Sequence, residues 1–281
     1  MDFQPGFFPF PVRLFPLLFQ LLCYDIPMIK AVFLDNDGTL FSHSLHKIPE
    51  SALKALYALQ ERGIKVVLTT GRDMSELLTL GIPSFPFDGY ILMNGQLCLE
   101  KDLTPYFGRP IEGKQLERMV ALFEEKKIPM TFYDSEGSYV NFVNDYVVQV
   151  QADVSSPVPP ILPYRHKDIY LTVFFVSKED VDALGLDDFT VTRWNPYAID
   201  VVVKGSSKWE GIRQYMARYG LSVEEVMAVG DGENDMEMVK NAGTGVAMGN
   251  SEKALLDIAD YVTDDIDEDG LYKLFTHYNM I

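Results

Sequence analysis

The stretch that most constrains this chain is residues 35–40, Asp-Asn-Asp-Gly-Thr-Leu, together with the apolar run Ala31–Leu34 before it. Four apolar residues that end at a turn signal predict a short buried strand. Two carboxylates, Asp35 and Asp37, follow that strand, where their removal from water is unfavourable unless a cation compensates. Oxygen ligands suit a hard divalent ion, most naturally Mg2+. The stretch therefore predicts a reaction centre built around a metal ion.

Charge and cysteine content exclude several classes of function. The chain has 281 residues, enough for one large domain or two smaller ones. Its 41 acidic and 24 basic residues give a formal net charge of −17. Such a surface repels phosphate backbones, which argues against nucleic-acid binding. Cys23 and Cys98 cannot form a disulfide framework and have no spacing typical of a zinc site, so we expect a cytoplasmic protein.

Residues 1–27 form an apolar segment that is rich in Phe and Leu but interrupted by five prolines. Its longest unbroken apolar run is far below the roughly 20 residues of a membrane helix, and we expect no membrane span. A basic start and a small-residue cleavage site, which a signal peptide needs, are missing. Three interpretations stay open: an over-extended reading frame whose normal start is Met28, which we favour, a partner-binding extension, and a targeting segment.

Residues 28–95 alternate predicted strands and helices. A helical pattern follows Pro49, and further strands are predicted at Ile64–Leu68 and Gly89–Met93, with a helix at about 73–80 between them. This alternation is typical of parallel βαβ units with right-handed crossovers. In such sheets the functional site lies at the carboxyl ends of the strands.

The pattern changes between residues 96 and 188. We predict hairpin-like segments, a helix at about Glu112–Lys127, and an irregular connector at Ser155–Pro160. The clearest strands are Met130–Tyr133, Tyr139–Val143 and Ile169–Val176. The region is too long for a loop, which predicts an inserted α+β domain.

Alternation returns in residues 189–281. Predicted strands and helices follow one another to the end of the chain, at Ala198–Val203, Lys208–Tyr219, Glu225–Val229, Gly245–Met248, Lys253–Ala259 and Gly270–Tyr278. We therefore predict an α/β fold: a doubly wound, mostly parallel, Rossmann-like sheet formed by residues 28–95 and 189–281, with an inserted α+β domain at 96–188.

Polar side chains follow four of the predicted elements at the same edge of this sheet. They are Asp35 and Asp37 after the first strand, Thr70 beside Thr69 after the second, Lys208 at a helix start, and Asp231, Asn234 and Asp235 after a late strand. The carboxylates could share one Mg2+, and the hydroxyl, ammonium and backbone N–H groups could surround a phosphate. A carboxylate nucleophile and a neighbouring acid suit two-step phosphoryl transfer.

The motifs at 35–40, Thr70-Gly71-Arg72, Asn94-Gly95, Lys208 and 230–235 resemble, in this order, those of the haloacid dehalogenase superfamily. The inserted domain resembles the large type IIB cap of its Cof-type sugar-phosphatase branch. The resemblance covers about Ile29 to the C-terminus, and it rests on the whole ordered set because each motif alone is weak.

The resemblance implies a role for each matching residue. Asp35 is expected to be the nucleophile and Asp37 the general acid/base. Mg2+ would be held by the Asp35 and Asp231 carboxylates and the Asp37 backbone carbonyl, with Asp235 supporting the metal. Phosphate binding is expected from Thr70, Gly71, Lys208 and Asn234, and substrate binding from Asn94 and Arg72.

The implied function is Mg2+-dependent hydrolysis of a small phosphomonoester, expected to be a sugar phosphate, through an aspartyl-phosphate. A phosphomutase and a non-catalytic phospho-ligand binder are the alternatives. We expect a small phosphorylated metabolite as partner and a monomer or weak homo-oligomer. Lys204 competes with Lys208 for the cationic role. Structural roles are favoured for Tyr133, Arg165, Arg193 and Trp194, and the four histidines are given none.

Overall fold

The computed structural model describes residues 29–281, so the predictions about residues 1–27 lie outside the described part of the chain. A first sheet of eight strands organises this part. In spatial order the strands are β13 (Tyr261–Val262), β12 (Thr244–Ala247), β11 (Val226–Gly230), β1 (Ala31–Leu34), β2 (Lys65–Thr69), β3 (Gly89–Leu92), β4 (Leu97–Glu100) and β5 (Pro105–Gly108). Strands β13 to β3 are parallel, whereas β4 and β5 pair antiparallel at one edge.

Strand β1 lies at the centre of this sheet and is buried on both faces. Val32 and Leu34 pack into one apolar cluster, while Ala31 and Phe33 pack into a second cluster on the other face. Burial of a large side chain such as Phe33 stabilises the fold by about 1.5–3 kcal/mol. Because β11 and β2 flank β1 in parallel register, their carboxyl ends meet beside Asp35.

Eight α-helices accompany the strands in residues 29–281. They are α1 (Glu50–Glu61), α2 (Met74–Thr79), α3 (Gly113–Glu125), α4 (Asp145–Asp153), α5 (Lys208–Tyr219), α6 (Met236–Asn241), α7 (Lys253–Leu256) and α8 (Gly270–His277). Asp73 caps α2: its side chain accepts the backbone N–H of Glu76, whose carboxylate accepts the N–H of Asp73. Ser207 caps α5 because its side chain accepts the backbone N–H of Glu210, and Lys208 is the first helical residue.

A second sheet of five antiparallel strands lies between the two halves of the first in sequence. In spatial order it contains β7 (Gly137–Val140), β6 (Met130–Asp134), β8 (Leu171–Phe174), β10 (Ala198–Val203) and β9 (Phe189–Asn195). One face packs on α3 through residues such as Phe123, Phe132 and Phe174. The other face, with Tyr133 and Leu171, shares an apolar cluster with the first sheet.

Sheet pairing corrects the predicted boundaries at residues 96 and 188. Ala198–Val203 is a strand, as predicted, but it pairs with β8 and β9 in the second sheet. Residues 97–108, predicted to be part of the inserted domain, join the first sheet, where β4 pairs with β3 and β5 pairs with β4. Alternating apolar residues predict a strand equally well in either sheet, so the sequence pattern did not separate the two cases.

The strand predicted at Tyr139–Val143 ends earlier, at Val140, for a local reason. The side-chain oxygen of Asn141 accepts the backbone N–H groups of Met130 and Phe142, both at 2.8 Å. A side chain that takes these donors replaces the next ladder bonds. No helix in residues 29–281 is both long and apolar enough to cross a membrane.

Candidate active site

Asp35 stands where β1 ends, and the next residues turn back sharply. Gly38 has φ +78°, and a Cβ there would lie 2.2 Å from Asp231 Oδ2. Only glycine therefore allows this turn to approach the loop after β11. Thr39 stabilises the contact between this turn and the loop after β11, because its hydroxyl donates to Asp231 Oδ1 at 3.0 Å. Two motifs 192 residues apart in sequence are thus held together.

Lys208 connects the same two motifs through its ammonium group. Its Nζ donates to Asp35 Oδ1 at 2.5 Å and to Asp235 Oδ1 at 2.7 Å, and all three side chains are buried. The other oxygen of Asp235 accepts the backbone N–H groups of Asp231 and Gly232, each at 3.0 Å. Of the two candidate cations, the structure brings Lys208 to the carboxylates, whereas Lys204 donates to the carbonyl of Asp187.

The carboxylates of Asp35, Asp231 and Asp235 come within 4.8 Å of one another. Burial and the charge of Asp235 raise the pKa of Asp35 to about 7, although the nearby Lys208 opposes this shift. Burial and the charge of Asp35 raise the pKa of Asp231 to about 9. One ammonium is too little positive charge for three clustered carboxylates, two of them buried, so this donor set fits a divalent cation with oxygen ligands.

Asp37 points to a different set of partners. The guanidinium of Arg72 donates to both of its oxygens, from Nε at 2.6 Å and from Nη2 at 2.7 Å. His43 Nε2 lies 3.0 Å from Asp37 Oδ1, and Asn36 donates to Oδ2 at 3.1 Å. Burial would raise the pKa of Asp37, but Arg72 and the hydrogen bond from His43 together hold it well below its usual range. Asp37 is therefore ionised in this arrangement.

Arg72 also reaches across to the segment that follows α4. Its Nη1 donates to Ser156 Oγ at 2.6 Å, and its Nη2 donates to the carbonyl of Val154 at 3.0 Å. The predicted substrate-binding residue thus uses its donors on Asp37 and on a loop next to the second sheet. Substrate binding by Arg72 stays a prediction, and it would require some of these contacts to open.

Thr70 and Gly71 follow β2 at the same edge. Thr70 Oγ1 accepts the backbone N–H of Arg72 at 3.1 Å, which shapes the turn. A Cβ at Gly71 would lie 3.3 Å from Asn94 Oδ1, so the turn packs closely on the end of β3. Both residues line the cavity described below.

Asn94 forms the centre of a hydrogen-bond network between the two sheets. Its Nδ2 donates to Asp200 Oδ2 at 2.5 Å, and its Oδ1 accepts from Asn234 at 3.2 Å. Trp194 Nε1 donates to the other oxygen of Asp200 at 2.5 Å. Because Asp200 and Trp194 belong to the second sheet, they fix it to the site edge of the first. Tyr133 also faces the site, with its hydroxyl 3.4 Å from Glu76.

These groups surround one cavity of about 440 Å3. Its floor carries Asp35, Asp37 and Asp231 from the first sheet, and its roof carries Leu171 and Val173 from β8. Every residue predicted for the site lines this cavity, with three exceptions. Lys208 contacts the lining residue Asp35, Asp235 contacts Lys208, and Asn94 contacts the lining residue Asn234.

Several wall residues were missed by sequence reasoning: His43, Glu76, Gln151, Asp200, Glu233, Asn250 and Glu252. Asn250 donates to the Gly38 carbonyl at 2.8 Å, beside Asp231. Two of them carried a signal: His43 lies only six residues after Asp37, and Glu233 stands inside the 230–235 motif. The others come from segments without a recognisable motif, so folding alone brings them to the site.

Comparison with known proteins agrees with this geometry. The family model for haloacid dehalogenase-like hydrolases matches residues 32–275. A putative phosphatase of Bacillus subtilis (strain 168), YkrA, is 34% identical over 251 residues, which are 86% of this chain and 95% of that protein. The structure of the HAD-superfamily phosphatase BT1666 from Bacteroides thetaiotaomicron superposes with a TM-score of 0.82 at 36% identity, covering 92% of this chain and 98% of that one.

The structure of the HAD subclass IIB sugar phosphatase BT4131 superposes with a TM-score of 0.80 at 33% identity. The superposition covers 90% of this chain and 100% of that one. A mostly parallel sheet with acidic strand ends, covered by a separate antiparallel sheet, defines a two-part α/β hydrolase. The chain belongs to the haloacid dehalogenase-like hydrolases, and within them to the phosphatases that hydrolyse phosphoric monoesters. The predicted family and fold class are confirmed.

Proposed function

We propose that this protein is a Mg2+-dependent phosphatase that hydrolyses small phosphomonoesters through a phosphorylated Asp35. The observation that carries the proposal is the cluster of the Asp35, Asp231 and Asp235 carboxylates, in which Lys208 contacts Asp35 and Asp235. A site meant only to bind phosphate would gain nothing from three carboxylates, because they repel the ligand.

In the first step, an oxygen of Asp35 attacks phosphorus and the bond from phosphorus to the leaving alcohol breaks. Lys208 holds the attacking carboxylate, and Thr70 lies where its hydroxyl can hold a phosphoryl oxygen. The leaving oxygen needs a proton, which Asp37 would supply. Because Arg72 keeps Asp37 ionised, their contact has to open before this step.

In the second step, water attacks the phosphorus of the aspartyl-phosphate and Asp35 leaves as a carboxylate. Asp37, ionised when it is paired with Arg72, suits removal of a proton from that water. The paired and unpaired states of Asp37 thus match the two halves of the reaction. Asn234 and Gly71 are proposed to assist at the phosphate, and Asn94 at the substrate.

Mg2+ would be held by the carboxylates of Asp35 and Asp231 and by the Asp37 backbone carbonyl, with Asp235 in support. When bound, it would neutralise charge between the nucleophile and the phosphate. A sugar phosphate is the proposed substrate, because the subclass IIB relative BT4131 is named a sugar phosphatase. A cytoplasmic location and a monomer or weak homo-oligomer complete the proposal.

The test is turnover of an aryl phosphate in the presence of Mg2+ by the wild type and by Asp35→Asn. The variant keeps the size of the side chain but loses the nucleophile, so we expect no measurable turnover with an unchanged far-UV CD spectrum. Asp102→Asn, at an exposed turn, is the matched control and should retain full activity. Substantial activity in folded Asp35→Asn would refute the proposed nucleophile.

A further inference from the structure

The carboxylate of Asp37 has more hydrogen-bond donors than its pair with Arg72 supplies. A carboxylate has about four lone-pair sites, two on each oxygen. Arg72 fills one site on each oxygen, at 2.6 Å on Oδ2 and at 2.7 Å on Oδ1. His43 Nε2 lies 3.0 Å from Oδ1, and Asn36 Nδ2 donates to Oδ2 at 3.1 Å. Each oxygen therefore has two donors, and only one of the two belongs to Arg72.

The ring of His43 makes a single hydrogen bond within residues 29–281, and that bond goes to Asp37. Nε2 is the donor, because the ionised carboxylate of Asp37 can only accept. Nδ1 is buried and has no hydrogen-bond partner in the same part of the chain. The ring also packs edge-on against Phe41, with the two centroids 5.5 Å apart. The polar part of His43 is thus directed at Asp37 alone.

Asn36 has the same one-sided arrangement. It is completely buried, its Nδ2 donates to Asp37, and its Oδ1 has no partner among the residues that the structure describes. A buried amide oxygen without a donor lowers the stability of the fold. An apolar side chain of similar size would avoid that penalty. The contact with Asp37 is therefore what the polar side chain contributes.

The turn that carries His43 is fixed on both sides of this residue. Ser42 and Ser44 donate their hydroxyls to the two oxygens of Asp267, which lies 225 and 223 residues further along the chain. Asp267 is exposed and does not line the cavity. The position of the His43 ring thus depends on a residue outside the site.

Release of Arg72 would leave the other two contacts of Asp37 in place. Under the proposed function, Asp37 must part from Arg72 before it protonates the leaving oxygen. Loss of the two guanidinium bonds frees one lone-pair site on each oxygen, and one of these sites takes up a proton from the solvent. The other two sites keep their donors, so the carboxyl stays oriented for proton transfer.

We propose that His43 is a positioning residue for proton transfer by Asp37, and that together with Asn36 it keeps this carboxyl oriented while Arg72 is released. The inference rests on the proposed phosphatase function and adds to it the residues that hold its acid. Arg72 holds Asp37 in the ionised state, whereas His43 and Asn36 hold it in both states. Asp267 acts one step further away, through the turn that carries His43.

The acidity of the leaving alcohol separates positioning from support of the fold. 4-Nitrophenol leaves without help from an acid, phenol needs more help, and benzyl alcohol needs the most. For their phosphates, kcat/KM includes only the steps up to release of the alcohol, so hydrolysis of the phosphoenzyme does not enter. His43→Phe keeps a ring against Phe41 but removes the N–H donor. It should lower kcat/KM about tenfold for benzyl phosphate and less than about twofold for 4-nitrophenyl phosphate.

His43→Gln, which can place an N–H near the position of Nε2, is the rescue variant and should recover most of the loss with benzyl phosphate. An unchanged kcat/KM in His43→Phe, an equal loss with all three phosphates, or a loss that His43→Gln does not recover overturns the inference. So does turnover of 4-nitrophenyl phosphate alone by the wild type, because no proton then reaches the leaving oxygen. If the wild type hydrolyses none of the three, the proposed phosphatase function itself is wrong.

Asp267 provides a second test from outside the cavity. Asp267→Ala removes the acceptor of Ser42 and Ser44 and should lower kcat/KM a few-fold for benzyl phosphate, again more than for 4-nitrophenyl phosphate. Glu268→Ala, an exposed neighbour that loses the same charge, should leave both values unchanged. In the His43→Phe background, Asp267→Ala should have no further effect on the ratio of the two values. Equal effects of Asp267→Ala and Glu268→Ala, or an undiminished effect in that background, would overturn the role of Asp267.

Asn36 gives a third test, in which activity and stability should change in opposite directions. Asn36→Leu removes the buried, unpaired oxygen, so the melting temperature should stay the same or rise. At the same time kcat/KM for benzyl phosphate should fall by about threefold to tenfold, and less for 4-nitrophenyl phosphate. Asn36→Ala, which introduces no bulk, should show the same preference between the two substrates. Parallel losses of stability and of activity toward all three phosphates in both variants would show that Asn36 only supports the fold.

Discussion

Two arginine–aspartate pairs in this molecule have the same forked geometry but serve different regions. Arg165 donates to both oxygens of Asp134 at 2.9 and 2.8 Å and lies over the ring of Tyr139. All three residues belong to the second sheet and its loops. Arg72 holds Asp37 in the same way, but it also contacts the segment after α4.

The difference between the pairs lies in their neighbours. Asp134 is fully buried, and Nη2 of Arg165 also donates to the carbonyl of Gly137 in the same hairpin. Asp37 lines the cavity, and its side chain keeps 31% of its exposure. The same hydrogen-bond geometry thus stabilises a hairpin in the Arg165–Asp134 pair. In the Arg72–Asp37 pair it positions the proposed proton-transfer group. Substitutions can distinguish an ion pair that only stabilises the fold from one that positions a reacting group. The largest effect is expected at Lys208, which contacts two buried carboxylates of the site.

Lys208→Met should have the largest effect. It removes the buried cation shared by Asp35 and Asp235, and loss of such a contact lowers kcat by about 10² to 10³-fold. It also leaves buried carboxylates without their partner, which destabilises the fold by about 3 kcal/mol, partly restored by Mg2+. Phosphate release and thermal unfolding, each with and without Mg2+, measure this. Lys204→Met is the control. If Lys204→Met lost activity and Lys208→Met did not, Lys204 would be the cation of the site.

Replacing each of the two arginines by methionine tests the comparison of the two pairs directly. Arg72→Met should lower kcat about 10- to 100-fold, since Asp37 loses its positioning partner. Arg165→Met should leave kcat near the wild-type value but lower the free energy of unfolding by about 3 kcal/mol, because Asp134 stays buried without its cation. Steady-state kinetics and urea unfolding of both variants decide. If both variants lost activity alike, the proposed distinction would be wrong.

Glu76, on α2 facing Tyr133, should make stability depend on pH. Burial raises its pKa from 4.5 to about 8, so the folded state keeps a proton that the unfolded state releases near its ordinary pKa. The free energy of unfolding therefore falls as pH rises from about 4.5 to 8, by a few kcal/mol at most, and then levels off. Glu76→Gln should make this slope shallower, while Asp35 and Asp231, whose pKa values are also raised, still contribute to it. Urea unfolding of the wild type and of Glu76→Gln at several pH values measures the free energy of unfolding. If its dependence on pH were the same in both, Glu76 would titrate normally.

Ser156→Ala should have the smallest effect. It removes one hydrogen bond from Arg72 without touching Asp37, and a bond to a charged group contributes about 1–2 kcal/mol. We expect a lower melting temperature and a change in kcat of a few-fold at most. Thermal unfolding and steady-state kinetics suffice. A loss as large as that of Arg72→Met would mean that the contact with the second region, rather than the pair with Asp37, governs turnover.

The sequence predicted the site edge of the first sheet well because its information is local. Asp35, Thr70 and Asp231 each directly follow a strand, and parallel strands bring such ends together. Lys208 was favoured over Lys204 because it lies between the second and fourth motifs in sequence, and its ammonium contacts Asp35 and Asp235 whereas that of Lys204 contacts a backbone carbonyl. The second sheet was predicted less well, since β9 and β10 look alike in sequence whichever sheet they join.

Side-chain direction is the other limit. No pattern in the sequence states that the guanidinium of Arg72 turns to Asp37, or that Gln151 from α4 faces the cavity. Such contacts depend on how the two sheets pack, which involves residues more than 80 positions apart. The roof that the second sheet gives the cavity therefore comes from the region that local patterns describe least.

Chemical trapping of the phosphorylated residue tests the central claim most directly. The enzyme is mixed with Mg2+ and a hexose 6-phosphate, quenched in acid during turnover, and reduced with borohydride, which converts an aspartyl-phosphate to homoserine. Peptide mass spectrometry should find homoserine at position 35, and only when substrate and Mg2+ were both present. Homoserine at another aspartate, or none despite rapid phosphate release, would contradict the account.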